Sequence, residues 1–555
     1  MTAWALERPS ARSTPSHYAS LPNTPLVTCR KFSTSRHDWH EARRCYARFI
    51  RPVQQGSTSS AGHEDPLNHR FTTRMHDHHV ARLRCAPIMP IDRLLSLASS
   101  YHQEGRFDLA ETHYRQALDL DPNHWDACFR LGQVLIRRDR FDEAIGRLSQ
   151  LLNRPGDHAA VHRQIGLAEA CAGRRQRALD HFKQALEHEP DDATTLHIVA
   201  NLQQALGLHS AADATYRRAL KLKPLITVPA IVAPPDFRVL FVFGPSAGNT
   251  PIEYLIEQAR FESNIVTLLP DTEYDVDRLR VYANVVVNLI SDVDRGHAFL
   301  APAQALVEQI GGPVVNPPKA IEGTGRESIA RRLAALPGCR VPQTRQYQAV
   351  ELRDLLASDS SAMLTFPLLV RPAGTHGGDD FEKMESASQL HTFLGGHEPR
   401  SYYLTAFVDY RSDDGYFRKY RFFCVGDEIL PYHLAIDDKW KVHHVTTSMT
   451  THTWMQDEER AFLDDPWRVF GAAQQAALRS IRDAMGLDYF GIDCALDRDG
   501  AVVVFEVNAS MLVHGRNQQF PYKTAAVERI KQAFHALLER LARQGQGNQQ
   551  ADAAT

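Results

Sequence analysis

The C-terminal half of the chain takes its fold from one stretch, YFGIDCALDRDGAVVVFEVNASM, which occupies residues 489–511. Two apolar runs flank a central Asp-Gly pair, which is typical of the tight turn in a β-hairpin. Glu506 and Asn508 are two residues apart, so both project from the same face of the second strand. Asp493 precedes Glu506 by 13 residues, and antiparallel pairing of the two strands can bring it alongside them.

These three side chains predict a magnesium site. Carboxylate and amide oxygens are ligands that Mg²⁺ prefers, and the ion completes its shell with water and phosphate oxygens. Mn²⁺ would accept the same ligands. The alternative is an edge hairpin whose polar residues face solvent. A carboxylate inside the apolar run Val502–Val507 favours the metal, because a buried charge needs a partner.

A second segment, FPLLVRPAGTHGG at residues 366–378, predicts a phosphate-binding loop. A short apolar strand carries one cation, Arg371, and then breaks into a glycine-rich turn at Gly374, Gly377 and Gly378. Glycines let backbone N–H groups approach phosphate oxygens, and the cation offsets their charge. An ordinary hairpin is the alternative interpretation.

A third segment, FRKYRFFCVGDEILPYH at residues 417–433, predicts another strand–turn–strand unit. Arg421 lies within its apolar first strand, where a guanidinium group needs an anionic partner. That partner is either a bound anion or, as the alternative, a carboxylate in a structural salt bridge.

Upstream of these segments the pattern is that of a parallel sheet with helices. The apolar runs RVLFVF, at Arg238–Phe243, and VVVNLI, at Val285–Ile290, alternate with the helical stretches Pro251–Arg260 and Ala303–Ile310. Strands that alternate with helices indicate an α/β domain. The glycine-containing turn 244–248, before the first of these helices, is either a phosphate cradle or a tight turn.

The preceding part of the chain, residues 91–224, has a 34-residue period. Small residues recur at Ala110, Ala144, Ala178 and Ala212, and an aromatic or leucine side chain follows each of them by four residues. This register resembles the tetratricopeptide repeat in four copies. The resemblance implies an all-α solenoid whose groove docks a peptide or protein partner. A spacer or a dimerisation module is the alternative.

Residues 1–88 show neither helical nor strand periodicity, and they carry 13 Lys and Arg against 6 Asp and Glu, a balance of 13 − 6 = +7. We expect this basic segment to be disordered, and a true start at Met75 or Met89 is an alternative. The rest of the chain carries −3 − 7 = −10. This balance argues against nucleic acid as a partner, and no apolar run reaches the roughly 18 residues that span a bilayer.

The eight cysteines include no CxxC pair and no close pairs. This spacing argues against a disulfide scaffold and against a structural zinc site. It favours a reducing, cytoplasmic location.

Together, segments 366–378, 417–433 and 489–511 resemble the ATP-grasp superfamily, particularly its glutathione-synthetase-like and ribosomal-protein-glutamate-ligase-like branch. The resemblance covers roughly residues 236–540, and its upstream part corresponds to the Rossmann-like domain that precedes the grasp. It implies two α+β lobes that grip ATP. Members of the superfamily generally activate a carboxylate as an acylphosphate and pass the acyl group to an amine, with release of ADP and phosphate.

The resemblance also implies roles for individual residues. It gives the metal to Asp493, Glu506 and Asn508, and it gives the acylphosphate to Arg421. Arg371 falls at the strand lysine that contacts ATP phosphates. The implied catalytic residues are therefore Arg421 and Arg371.

Cofactor binding is implied at further positions. Arg326 falls near the upstream lysine that binds phosphate in the superfamily. The flexible loop over the terminal phosphate corresponds to Gly374, Thr375, His376, Gly377 and Gly378. The hinge that binds adenine corresponds to Tyr403, Ala406, Phe407 and Val408.

Arginine replaces lysine at positions 326 and 371, which keeps the charge and changes the geometry of the cation. A tetratricopeptide adaptor with a catalytically weak or inactive ATP-binding domain is therefore the alternative to a ligase. A kinase with a hydroxyl acceptor is a third hypothesis. For a ligase, the candidate bases for the proton that the attacking amine loses are His376, His433, His443, His444, His452 and His514, of which His376 and His514 are preferred.

The sequence thus predicts a multidomain chain: a tetratricopeptide solenoid, an α/β pre-ATP-grasp domain and an α+β ATP-grasp fold. Four prolines between 224 and 235 predict a stiff linker after the solenoid. The predicted parts are a disordered basic segment at 1–88, four repeats at 89–225, the pre-ATP-grasp domain at 236–345, the ATP-grasp domain at 346–540 and a disordered tail at 541–555.

Overall fold

The computed structural model describes residues 89–245, 248–358, 364–375, 380–396, 401–442, 447–515, 517 and 519–552. The predicted disordered segment at 1–88 lies outside the described residues. So do His376, Gly377 and Gly378 of the predicted phosphate loop.

Helices in antiparallel pairs build the first part of the described chain. They are α1 (Ile91–Gln103), α2 (Phe107–Leu120), α3 (Trp125–Arg137), α4 (Phe141–Ser149), α5 (His158–Cys171), α6 (Arg175–His188), α7 (Ala193–Ala205) and α8 (His209–Leu222). The four alanines of the 34-residue period are completely buried, because only a small side chain fits where paired helices cross. The repeat therefore has the structure that its spacing predicts.

The turn inside each helix pair needs a left-handed backbone conformation. Gly105, Gly173 and Gly207 provide it with φ between +76° and +80°. The second pair turns at Asp139, which has a φ of 60°. Aspartate is among the side chains that tolerate this region best, so the repeat keeps its geometry without the glycine.

A five-stranded sheet follows, with the order β1-β3-β2-β4-β5. Its elements are β1 (Ile226–Val228), β2 (Arg238–Phe243), β3 (Glu262–Thr267), α9 (Val276–Arg280), β4 (Val285–Asn288), α10 (Val293–Ile310) and β5 (Val314–Val315). Strands β2 to β5 are parallel, and β1 adds to the edge in the antiparallel direction. The segment predicted as a linker therefore contributes a strand, and its prolines lie outside the three paired residues.

The stretch Pro251–Arg260 is a series of turns and not the helix that its apolar spacing predicts. The turn before it is closed by the Asn249 side chain, which accepts from the Gly244 N–H at 2.9 Å and donates to the Gly244 carbonyl at 2.7 Å. A phosphate cradle there would need a free N–H group and a following helix. The bonds of Asn249 and the missing helix therefore favour the tight turn over a phosphate cradle.

A four-stranded antiparallel sheet and a five-stranded mixed sheet form the remainder. The elements are α11 (Pro318–Glu322), α12 (Arg326–Leu333), β6 (Cys339–Arg340), β7 (Thr344–Gln348), α13 (Ala349–Ala357), β8 (Leu368–Pro372), β9 (Glu382–Met384), α14 (Ala387–Gly395), β10 (Ser401–Ala406), β11 (Phe417–Val425), β12 (Glu428–Asp437), α15 (Thr453–Asp464), α16 (Ala472–Met485), β13 (Tyr489–Leu496), β14 (Val502–Asn508) and α17 (Thr524–Asp552). The smaller sheet has the order β7-β10-β8-β9, and the larger has β12-β11-β13-β14-β6, in which β14 and β6 are parallel.

Two predicted boundaries are wrong. Strand β6 lies before position 346, yet it pairs with β14 in the larger sheet, and β7 spans that boundary. The tail predicted as disordered at 541–555 is helical through Asp552, and Ala542 is buried against the parallel sheet's core. Local sequence did not show this because both features depend on partners far away along the chain.

The larger sheet shares two hydrophobic cores with the parallel sheet, whereas the smaller sheet packs around a separate core of its own. The repeats contact the α/β region, which contains all three sheets, through α8, where Tyr216 packs on Leu269 and Arg217 donates to the Pro270 carbonyl at 3.1 Å. In the described part of the chain, Cys128, Cys339, Cys424 and Cys494 are free cysteines. Among the described residues, no helix is long and apolar enough to cross a membrane.

Candidate functional site in the larger sheet

Four polar side chains form a row across the larger sheet. In the strand register, His433 of β12 lies opposite Arg421 of β11, Arg421 lies opposite Asp493 of β13, and Asp493 lies opposite Glu506 of β14. Directly opposed residues point to the same face, with Cβ atoms about 5 Å apart. The pairing shifts register beside Arg421 and beside Asp493, and such bulges commonly re-aim side chains next to functional sites.

Asp493 is the most buried member of the row, with a side chain 1% exposed. The Arg421 guanidinium donates to both carboxylate oxygens, with Nη2 at 2.8 Å from Oδ2, and Lys419 Nζ lies 2.8 Å from Oδ2. Burial alone would raise the pKa of Asp493, but Arg421 and Lys419 hold it well below its ordinary value. This carboxylate is therefore ionised and fixed in place, with both of its oxygens already accepting from protein cations. The anionic partner of Arg421 in this structure is a carboxylate in a salt bridge, which is the alternative interpretation of segment 417–433.

Glu506 pairs with the cation that opens α12. Arg326 Nη2 donates to Glu506 Oε1 at 2.8 Å. Burial opposes ionisation of Glu506, yet Arg326, with contributions from Arg371 and Lys419, lowers its pKa. Arg326 thus reaches the predicted metal ligand Glu506 from α12, a helix that precedes both of the following sheets.

Asn508 lies at the end of the row. Its Nδ2 is 3.5 Å from Glu506 Oε1, and its Oδ1 accepts from the backbone N–H of Ser510 at 2.7 Å and from the Ser510 hydroxyl at 2.6 Å. The backbone donor fixes which amide atom faces the turn. A serine hydroxyl can rotate away, so one lone pair of Oδ1 can still turn to a cation.

The donor set fits a magnesium ion by its chemistry. Two carboxylates oppose each other across neighbouring strands, and an amide oxygen lies two residues beyond. With the described residues, Glu506 forms its hydrogen bonds through Oε1, so Oε2 can still bind a metal ion. No three His, Cys, Asp or Glu side chains in the described ranges are already arranged around one point. The set has two carboxylates, so an ion would need the amide and external oxygens as well.

The smaller sheet faces the row with Arg371. This residue on β8 lies opposite Tyr403 on β10, and its Nη2 donates to the Thr375 carbonyl at 2.9 Å. Gly374, with a φ of +77°, begins the predicted loop, and Arg295 of α10 donates to its carbonyl at 3.1 Å. The described start of the loop is therefore held between α10 and β8.

The predicted hinge divides into two parts. Tyr403 donates its hydroxyl to Asp294 at 2.9 Å, and this carboxylate is close enough to Arg326 to raise the pKa of the guanidinium. The Tyr403 side chain thus lies with the cations. The backbone N–H groups of Ala406 and Phe407 already donate to the carbonyls of residues 343 and 367, while Val408 packs against the core of the larger sheet.

Three aromatic rings lie together beside the predicted hinge, and the sequence did not predict this cluster. Trp440, after β12, contacts Phe407 at a ring-centroid distance of 5.9 Å and Phe381 at 5.7 Å. Lys383 Nζ lies 4.0 Å from the Phe407 ring centroid, and the Arg371 guanidinium lies 5.3 Å from that of Phe381. Only the tertiary fold brings these rings together, so local spacing gave no signal.

Cations outnumber carboxylates in the site. The cations are Lys419, Arg421, Arg371 and Arg326, and the carboxylates are Asp493 and Glu506. The formal excess is +4 − 2 = +2, and Asp294 at the rim reduces it to +1. Sequence reasoning missed Lys419, although its position two residues before Arg421 places both on one strand face. Such a site favours a polyanionic ligand.

Two stretches match family profiles of the tetratricopeptide repeat, at residues 101–165 and 193–224. These stretches are tetratricopeptide repeats. The match agrees with the 34-residue period and with the buried alanines. Repeats of this kind bury their apolar faces by stacking and present an extended groove.

Solved structures similar to the chain include a MamA fragment, "MamA 41-end", from Desulfovibrio magneticus RS-1, which is 20% identical over 24% of this chain and 76% of its own, with a TM-score of 0.23. The VanG D-Ala:D-Ser ligase from Enterococcus faecalis is 14% identical over 55% of this chain and 99% of its own, with a TM-score of 0.34. A tetratricopeptide repeat protein from Parabacteroides merdae is 16% identical over 24% and 53%, with a TM-score of 0.23. No curated protein sequence matches the chain.

Proposed function

We propose that the chain is an ATP- and Mg²⁺-dependent carboxylate–amine ligase of the ATP-grasp type that works through an acylphosphate. The observation that carries the proposal is the cation-rich row on the larger sheet, in which the carboxylates of Asp493 and Glu506 lie opposite each other and beside Arg421. A triphosphate with its metal ion is the polyanion that needs both signs of charge in one place.

Asp493, Glu506 and Asn508 would hold the metal ion, which when bound offsets the charge of the phosphate oxygens. Arg326, from α12, and Arg371, from β8, both lower the pKa of Glu506 and would bind the phosphates. Each guanidinium group can donate to two phosphate oxygens at once, whereas a lysine ammonium binds phosphate as a single point charge.

Arg421 would stabilise charge on the acylphosphate. It already orients Asp493 through two hydrogen bonds, so its guanidinium is preorganised and needs little rearrangement when charge develops nearby. Phe381, Phe407 and Trp440 offer flat apolar surface for the adenine base. The repeats would recruit a peptide or protein substrate in their groove.

The test is ADP release by the full chain with ATP, Mg²⁺ and a pool of the twenty common amino acids, with and without hydroxylamine. Hydroxylamine traps acylphosphates as hydroxamates, so a ligase gives hydroxamate, a kinase gives ADP alone, and an inert binder gives neither. We expect Glu506→Gln to lower ADP release by at least about 100-fold, since it removes one metal carboxylate.

Glu308→Gln is the matched control, because Glu308 is exposed on α10 and bonds only to the Gln304 side chain within the described chain. This variant should retain full turnover. Thermal unfolding of both variants separates a loss of fold from a loss of chemistry. Full ADP release by a folded Glu506→Gln chain would refute the proposal.

An adaptor with an inactive ATP-binding domain is the second candidate. Both carboxylates of the row are neutralised by protein cations in this structure, a state that binds an anion without a metal. ATP binding that is independent of Mg²⁺, with no ADP released, would favour the adaptor.

A further inference from the structure

A buried cluster continues the row beyond Arg421. Its centre is Glu459 of α15, whose side chain has no exposure. Glu459 contacts His433 Nδ1 at 2.5 Å, Lys523 Nζ at 2.9 Å and the Tyr522 hydroxyl at 2.5 Å, and it accepts from the backbone N–H of Leu434 at 3.1 Å. Four donors around one carboxylate fix its position and its charge.

This arrangement decides which nitrogen of His433 carries the proton. Burial raises the pKa of Glu459, but His433 and Lys523 outweigh it and lower that pKa to about 2, so Glu459 is ionised. Lys523 Nζ lies 2.8 Å from His433 Nδ1 and 2.9 Å from Glu459 Oε1, and its ammonium can only donate, so it donates to the carboxylate. The 2.5 Å contact between Nδ1 and the ionised Oε1 needs a proton between the two atoms, and that proton lies on Nδ1. Nε2 is therefore left with a lone pair.

His433 Nε2 is buried and has no hydrogen-bond partner among the described residues. Buried polar atoms in native proteins nearly always have a partner, and an exception calls for an explanation. His433 lies directly opposite Arg421 in the strand register, so its side chain is on the face that carries Asp493 and Glu506. Along the row the order is metal ligands, then the acylphosphate arginine, then a histidine that can accept a proton.

We propose that His433 is the general base of the acyl-transfer step, an inference that rests on the proposed ligase function. The amine nitrogen forms a bond to the acyl carbon, and the bond from that carbon to the phosphate oxygen breaks. Phosphate leaves with the electron pair of the broken bond, and the proton of the amine passes to Nε2 of His433. Glu459 stabilises the imidazolium that results.

The surroundings keep His433 able to accept. The charged and titratable groups that face it are Glu459 from α15, Arg421 from β11, and Lys523 and Tyr522 from the segment before α17. Burial and Lys523 lower the pKa of His433 in spite of Glu459, so the ring is neutral at pH 7. The two bases preferred from the sequence are placed differently: His376 lies outside the described residues, and His514 follows β14.

The test compares two acceptors in the full chain. Hydroxylamine is largely unprotonated at pH 7, and it attacks acylphosphates without a catalytic base because the proton that it loses can pass to water. The α-amines of the twenty common amino acids are largely protonated at this pH. In His433→Asn the amide can still donate to Glu459, while the base is gone. We expect at least about a 100-fold loss of amide product at pH 7, a hydroxamate yield within about 3-fold of the unsubstituted chain, and a deficit that shrinks as pH rises.

His452→Asn is the control, because His452 is an exposed histidine of the same region that bonds to the Ser448 carbonyl. Glu459→Gln is the second variant, which should show the same selective loss because it removes the group that sets the tautomer. Equal amide yields in the unsubstituted and His433→Asn chains overturn the inference, and so does the absence of amide from both. An equal loss of amide and hydroxamate in His433→Asn also overturns it. An unsubstituted chain that makes neither hydroxamate nor ADP rejects the proposed function itself, and the base role with it.

Discussion

At the scale of single residues, the site is governed by the pairing of opposite charges in a nearly dry sheet. Asp493 has almost no contact with solvent, and its two cations, Arg421 and Lys419, come from one neighbouring strand. A buried charge that loses its partner costs several kcal/mol, whereas a complete pair costs little. Each substitution in the row is therefore expected to act on folding as well as on chemistry.

Asp493→Asn is expected to destabilise the chain by about 2–3 kcal/mol at pH 7, because Arg421 and Lys419, which are only partly exposed, lose their shared anion. The double variant Asp493→Asn/Arg421→Met should regain part of this loss. The pKa of Asp493 in the folded chain lies below its ordinary value of 3.8, so its stabilisation is present above that value and is lost as the pH falls through and below it. Urea unfolding between pH 7 and pH 3 measures both effects. A single variant as stable as the original chain at pH 7 would contradict the charge pairing.

Residue spacing predicted that Asp493, Glu506, Asn508 and Arg421 belong to the site. Alternation along a strand, together with the position of the hairpin turn, determines which of these side chains share a face. The same spacing missed His433 as a member of the row, because register across four strands places it there, and it missed Glu459, which reaches the row from helix α15. Register between distant strands depends on the packing of whole faces and not on local sequence.

At the scale of elements, the packing of the helix pairs requires glycine at some helical positions and not at others. A Cβ on Gly166, in α5, would lie 2.9 Å from the Phe182 ring, which is the large residue of the 34-residue period. A Cβ on Gly146, in α4, would meet nothing within 4 Å. The period therefore has two kinds of helical glycine, and only one of them serves the crossing of helices.

Gly166→Ala is expected to destabilise the repeats by about 1–3 kcal/mol, because an added methyl group forces a well-packed ring to move. Gly146→Ala is the matched substitution and should stabilise them by up to about 1 kcal/mol, since alanine favours a helix more than glycine does. Thermal unfolding followed by circular dichroism compares the two. The same sign of change in both variants would show that helix propensity, and not ring packing, governs these positions.

At the scale of the whole molecule, the repeats and the α/β region are joined by more than a linker. Strand β1 extends the parallel sheet directly after the last repeat helix, and Tyr216 of that helix packs on Leu269 from the loop after β3. The repeat period predicted the solenoid and the prolines predicted a boundary. Neither predicted this contact, because Leu269 and Tyr216 meet only after both units have folded.

Leu269→Asp tests whether this contact couples the two units. Leu269 is 4% exposed, so a carboxylate there must either stay buried without a partner or separate the surfaces, at a cost of about 2–4 kcal/mol. We expect a lower unfolding temperature and earlier protease cleavage between residues 223 and 237. ADP release should not change, because the side chains of the site all come from the α/β region. Leu222→Asp is the control, since Leu222 lies on the same helix as Tyr216 and is 43% exposed. Equal stability and equal cleavage in both variants would mean that the repeats and the α/β region are held together only by the chain between them.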